Sequence, residues 1–202
     1  MRRMALALTV CGLIPVTAPT AAAEDLGNAP GFQAESVSFR EGGEPSRRVQ
    51  VHMGPEGRRL EGIPPRGITL IAPADGDQRW LVDGQEKVYA MDKTRGKGGS
   101  LGGVLAHQPC KGFSDAQRLG PATINGRDTV KWKCSHPAFG KVTQWFDPAI
   151  NTVIRDRTGR GEVQELRNIQ VGDQDPALFR FSGDGEFEQV PIIQLFQPER
   201  AS

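Results

Sequence analysis

The chain has 202 residues, with 25 glycines, 15 prolines and three cysteines, and its 25 basic and 24 acidic residues leave a formal net charge of +1. That balance offers no basic footprint for nucleic acid. So many turn formers argue against a helical bundle.

The chain begins in the order of an export signal. Arg2 and Arg3 precede an apolar run from Met4 to about Val16, and the small residues Thr20 to Ala23 lead to Glu24 and Asp25, the first acids. An A-x-A site at Ala21 to Ala23 predicts cleavage after Ala23, and hence a periplasmic protein. The run is shorter than the roughly 20 residues that span a bilayer. No later stretch is longer, so the expectation is not an integral membrane protein. A rival reading makes Cys11 the acylated cysteine of a lipoprotein, although Val10 stands where a small residue is expected. Removing residues 1–23 takes away two arginines and no acids, so +1 becomes −1 over 202 − 23 = 179 residues. That length suits one domain, 24–202.

The remainder of the chain reads as short strands between turns. Phe32 to Phe39 alternates weakly. Val49, Val51 and Met53 alternate with Gln50 and His52, a half-buried strand that leaves His52 in solvent and stops at Gly54-Pro55. Arg58 to Ile63 ends at Pro64-Pro65, and Ile68 to Ala72 at Pro73 and Asp75-Gly76. Arg79 to Val82 and Lys87 to Met91 flank Asp83-Gly84, a hairpin signal. Thr94 to Gly103 is glycine-rich and basic without P-loop spacing. It reads as a flexible loop or as a flap over a pocket mouth. Ser114 to Leu119 predicts a short helix ended by Gly120. A second hairpin is centred on Asn125-Gly126, between Ala122 to Ile124 and Asp128 to Cys134. A third pair, Lys141 to Phe146 and Thr152 to Asp156, is joined through Asp147-Pro148. Glu162 to Val171 is the last long strand. Asp175 to Phe179 predicts one helical turn with Pro176 at its first position, and the tail after Phe187 is an edge strand or trails off.

Cys110 and Cys134 are expected to form a disulfide, as two cysteines of an exported chain do. A metal site built from His107, Cys110, Cys134 and His136 is the rival, since two imidazoles and two sulfurs suit zinc or copper. No catalytic motif stands out, so the protein is read as a non-enzyme without cofactor. The tryptophans carry two readings. Trp80, Val82, Val130, Trp132 and Trp145 are core residues, or they line a concave cavity for an apolar ligand.

A further set of residues resembles a known group. It runs Trp80-Leu81-Val82-Asp83, Lys87-Val88-Tyr89, Leu119-Gly120, Asn125-Gly126-Arg127 and Lys131-Trp132. It continues with Gln144-Trp145-Phe146-Asp147, Thr152-Val153-Ile154-Arg155, Glu165-Leu166-Arg167-Asn168-Ile169 and Leu178-Phe179. Over roughly Phe32 to Val190 the chain is similar to uncharacterised bacterial exported proteins of the LolA-like superfamily, related to the periplasmic lipoprotein carriers. The resemblance implies a mainly β fold, a curved antiparallel sheet forming an incomplete barrel with a few short helices. It also implies a carrier holding a lipid or lipidated polypeptide in the concave sheet. The alternatives are an envelope protein–protein interaction or sensor module with a filled core, and the metal protein above.

Overall fold

The computed structural model describes residues 29–74, 78–92, 104–183 and 185–197. The export signal expected at 1–23, the turn expected at Asp75-Gly76 and the glycine-rich stretch at 94–103 lie outside these residues.

Twelve strands form one open sheet. In chain order they are β1 (Phe32–Arg40), β2 (Arg47–Gly54), β3 (Gly57–Ile63), β4 (Ile68–Pro73), β5 (Arg79–Asp83), β6 (Val88–Asp92), β7 (Ser114–Ile124), β8 (Arg127–His136), β9 (Gly140–Asp147), β10 (Thr152–Thr158), β11 (Glu162–Val171) and β12 (Glu188–Gln189). Their spatial order is β12-β6-β5-β4-β3-β2-β1-β11-β10-β9-β8-β7. Two meanders, β1 to β6 and β7 to β11, therefore meet at the β1–β11 pair. Every pairing is antiparallel except β12 on β6, which makes the curved sheet mixed. A 3-10 turn, Pro176–Phe179, and a four-residue helix α1, Ile192–Leu195, are the helical elements among the described residues.

The turns are built by the residues that suit them. Asn125 and Gly126 take φ of 51° and 76°, and Ile124 pairs with Arg127, a two-residue hairpin requiring left-handed backbone at both positions. The Asp83 carboxylate accepts from the backbone N–H groups of Gln85 and Glu86 at 3.0 and 3.1 Å, which lengthens that hairpin loop to residues 84–87. Gly57 is packed so closely that a Cβ there would lie 2.5 Å from the Ala72 carbonyl oxygen. Pro176 opens the 3-10 turn as expected, with Asp175 accepting from Ala177 N–H at 2.9 Å.

One element departs from expectation. Ser114 to Leu119 is not helical but is the first half of β7. Its helix-forming composition yields to pairing along β8, at the cost of two register shifts and a φ of 53° at Asp115. Tertiary pairing here outweighs an intrinsic preference worth only tenths of a kcal/mol per residue.

Alternation assigns each strand two faces. The inner face carries Phe32, Ala34, Val51, Met53 and Leu166, all within 6 % of full burial, and a main cluster forms there with Ile150 and Ile154. Residues 104–113 cover it. Val104 and Leu105 join the main cluster, and Ala106 packs on Phe146 and Val153. Leu105 N–H donates to the Val153 carbonyl at 3.0 Å, Val153 N–H donates to the Ala106 carbonyl at 2.8 Å, and Cys110 N–H donates to Gln144 Oε1 at 2.7 Å. Cys110 is joined to Cys134 of β8 by a disulfide, with Cα atoms 5.7 Å apart. At the other end, Leu195 of α1 is fully buried against Ile68, Leu81 and Ala90.

The disulfide closes a loop of sequence separation 24. Replacing both Cys110 and Cys134 by serine is expected to lower stability by about 3 kcal/mol, read as an earlier midpoint in urea unfolding followed by circular dichroism.

Candidate functional site

The segment after β11 crosses to the outer face of β2 to β6. There His52 Nδ1 lies 3.1 Å from Gln174 Oε1, and Arg59 Nη1 donates to the Leu178 carbonyl at 3.3 Å. Phe179, fully buried, lies over Gly54, and its ring would meet a Cβ there at 3.2 Å. Phe181 then stacks obliquely on Trp80 and Tyr89, with ring centroids 6.3 and 5.0 Å away, and meets Phe187 edge-on at 5.4 Å.

Between this strap and the sheet is a half-open cleft of about 560 Å³, lined by Trp80, Phe179, Phe181, Pro55, Pro73 and Pro176, with Ala74, Glu56 and Arg180. Three aromatic rings and three prolines give it apolar walls, and Glu56 and Arg180 supply one charge of each sign. Small-molecule sites have this character, mostly apolar with a few polar groups. A second cleft of about 410 Å³ lies beside β11, lined by Asn125, Arg127, Leu166, Arg167, Asn168 and Ile169, and is more polar.

The five residues singled out as a cavity lining are divided between the two faces of the sheet. Trp80 and Val82 pair with Ile71 and Thr69 and stand on the outer face of β5, Trp80 at the cleft and Val82 buried. Val130 and Trp132 pair with Phe146 and Gln144 and stand on the inner face of β8. Trp132 packs against Ala106, Phe146 and Val153 beneath the covering segment. Trp145 pairs with Lys131 and Arg155 on the outer face, its ring between the two cations at 5.3 and 5.1 Å. The sequence alone could not separate them, because β5 and β8 lie at opposite ends of the sheet and a one-residue change of register exchanges faces. Phe179, Phe181 and the prolines were missed as lining. Their signal was the run of aromatic and proline residues after Asp175, which reads equally well as a loose tail.

The four candidate metal ligands are committed elsewhere. Cys110 and Cys134 are bonded to each other, His107 Nδ1 faces the Asn151 carbonyl at 3.1 Å, and His136 Nδ1 accepts from Ala138 N–H at 3.1 Å. The His136 ring is stacked on Phe139, with centroids 4.6 Å apart. Among the described residues no three metal-binding side chains assemble.

The inner face also holds polar groups. Trp132, Gln144, Asp156, Gln164 and Ser38 form one row across five strands. Gln144 is fully buried, and the Trp132 indole N–H is buried without a protein acceptor. Burial pushes the Asp156 carboxyl up to about 6, against the opposing pull of the Gln164 and Val104 backbone N–H groups. Arg58, next to Met53 and Ala72, is pushed below its ordinary value by burial and then by neighbouring Arg79.

No protein-family profile matches the sequence, and no significant match is found among curated proteins. Solved structures do resemble it. An uncharacterized conserved protein from Thermus thermophilus superposes with a TM-score of 0.52 at 12% identity, over 81% of this chain and 93% of that one. MucB in complex with MucA(peri) gives 0.42 at 14% identity, over 79% of this chain and 56% of that one. The Mycobacterium tuberculosis lipoprotein LppX gives 0.39 at 12% identity, over 73% of this chain and 89% of that one. The chain thus spans just over half the length of MucB. The Thermus protein carries the likeness, which is one of fold.

Asp156 yields a pH test. Its folded value of about 6 lies above the ordinary value of 3.8, so the native state binds the proton more tightly than the unfolded chain. The resulting stability is complete below pH 3.8 and is lost as pH rises through about 6. The shift corresponds to about 3 kcal/mol. Asp156→Asn is expected to remove this slope and to raise stability at neutral pH, measured as urea midpoints across a pH series.

Proposed function

We propose that this is an envelope binding protein that holds an apolar ligand, a lipid or an apolar stretch of lipidated polypeptide, in the cleft beside Trp80. The observation that carries the reading is the convergence of Trp80, Phe179 and Phe181 with three prolines around about 560 Å³ of half-open space. Burial of apolar surface there supplies the affinity, at about 25 cal/mol per Å² removed from water. The opposite charges of Glu56 and Arg180 in the cleft lining orient a polar end. The inner face, the site first expected, supports this role less well. Val51, Ile154 and Leu166 are wholly buried there, in one cluster with Val104 and Leu105.

The burial of these inner-face side chains favours one second reading, an interaction module that takes an extended protein segment into the same aromatic and proline-lined cleft. The two readings part in native mass spectrometry of protein purified gently from the expressing cells. A small added mass, lost on denaturation, identifies a lipid-class ligand. A bare mass, together with a polypeptide cross-linked at the cleft, identifies the second reading. Trp80→Ala is expected to weaken retention of the ligand by about tenfold or more, since tryptophan is the largest apolar surface a side chain offers, and to leave the unfolding transition in place. Trp132→Ala is expected to act oppositely, costing about 3 kcal/mol of stability because Trp132 is packed under the cover. Unchanged ligand retention in Trp80→Ala would sink the assignment of the cleft.

A further inference from the structure

The alternation that turns Trp132 inward turns the intervening residues of β8 to β11 outward. Lys131 and Lys133 on β8, Lys141 on β9, Arg155 and Arg157 on β10 and Arg167 on β11 share the outer face. Two acids offset them. Glu165 takes Arg155 at 3.1 Å and Arg167 at 2.9 Å, and Glu41 takes Arg157 at 2.9 Å. Six cations less these two anions leave four positive charges in excess, on a chain whose formal total is +1. The Arg127–Asp147 pair at the margin cancels itself. Among the described residues the three lysines enter no ion pair, and Lys133 and Lys141 are exposed.

Three features of this face select its partner. The 3-10 turn packs on β3 and β4, α1 packs on β5 and β6, and residues 104–113 lie on the inner face, so none of these covers it; the tip of the β7–β8 hairpin touches its margin, where Asn125 Nδ2 donates to Glu165 at 3.2 Å. The strands β8, β9, β10 and β11 each lie between two neighbours, so the face offers side chains rather than main-chain partners. The cations are spread over four strands, about 4.8 Å apart, as a two-dimensional array rather than along a groove. Trp145 is nearly covered, with the Lys131 ammonium and the Arg155 guanidinium over its ring at 5.3 and 5.1 Å from the centroid. An extended acidic polypeptide matches a line of charges and seeks main-chain hydrogen bonds. A head-group layer is itself a two-dimensional array of anions and needs none.

We propose that the outer face of β8 to β11 docks the protein peripherally on an anionic lipid surface, through head-group charge and without insertion. This goes beyond the ligand-binding reading and uses the opposite half of the sheet from the Trp80 cleft. The docking brings a cleft for an apolar ligand to the surface from which such ligands come.

Co-sedimentation with vesicles tests it, using protein as the cells produce it, with its mass recorded so that the state of residues 1–23 is known. One vesicle set is phosphatidylcholine alone and the other contains about one third phosphatidylglycerol, at low and at physiological salt. The expected result is binding to the anionic vesicles only, weakened by salt. The triple variant Lys131→Glu, Lys133→Glu, Lys141→Glu is expected to bind about 10,000-fold more weakly, below detection by sedimentation, with its thermal unfolding unchanged. The milder triple replacement of the same lysines by glutamine is expected to lose about 100-fold. Trp80→Ala is expected to bind the vesicles like the parent protein, which separates docking from the cleft. Equal binding to neutral and anionic vesicles, or no binding at low salt, overturns the proposal. Tight binding of soluble polyglutamate with no binding to vesicles also overturns it and assigns the face to an acidic polypeptide.

Discussion

An open sheet of twelve strands with an apolar face cannot leave that face to water, and the rest of the structure depends on how it is covered. The strands β7 and β12 are its two edges, and β12 is only two residues long. The cover is supplied locally. Residues 104–113 are held by two backbone hydrogen bonds to Val153, by the Gln144 side chain and by the Cys110–Cys134 bond. Each tie lies on β8, β9 or β10. Farther along the sheet, Leu195 does the same work for β4 to β6 with a single fully buried side chain. Without these two covers, Phe32, Val51, Leu81 and Leu166 would face water, at a cost of about 2 kcal/mol each.

The covers decide what is left for function. Both occupy the inner face, so the outer face divides into two regions of different character. Over β2 to β6 the strap through Phe179 and Phe181 leaves an apolar cleft at Trp80. Over β8 to β11 long cationic side chains lie on Trp145 and Phe39. The edge strand β7 resists pairing with another chain. Pro121 lacks an N–H, and two bulges break its register. Apolar binding and electrostatic docking can therefore operate on one molecule without competing for the same surface.

Much of the fold was legible in local sequence. Glu162–Val171 and Pro176–Phe179 form where the pattern put them, because alternating β-type residues and an Asp-Pro start carry strong local signals. The Asn125-Gly126 hairpin forms for the same reason, since both residues tolerate left-handed backbone. The helix expected at Ser114 to Leu119 failed because the unpaired side of β8 offered a ladder of hydrogen bonds that local propensity does not register. Of the candidate site, Trp80 was legible as an aromatic at a hairpin. Its neighbours Phe179 and Phe181 were not, since they reach it from about a hundred positions away in the chain.

By itself, the sequence determined the elements and the chemistry of the parts: a succession of short strands, two cysteines suited to one bond, aromatic residues inside strands, and lysines alternating with them on β8. Only the tertiary structure decided which way each strand faces and what lies against it. Alternation divides the side chains of a strand into two sets but does not say which set turns inward. That choice follows from register, from the bulges between Gln33 and Glu35 and between Val153 and Arg155, and from where the covering segments land. For this reason Trp132 and Trp145, similar in local setting, end on opposite faces, one packed half-buried against the covering segment and the other under a layer of positive charge.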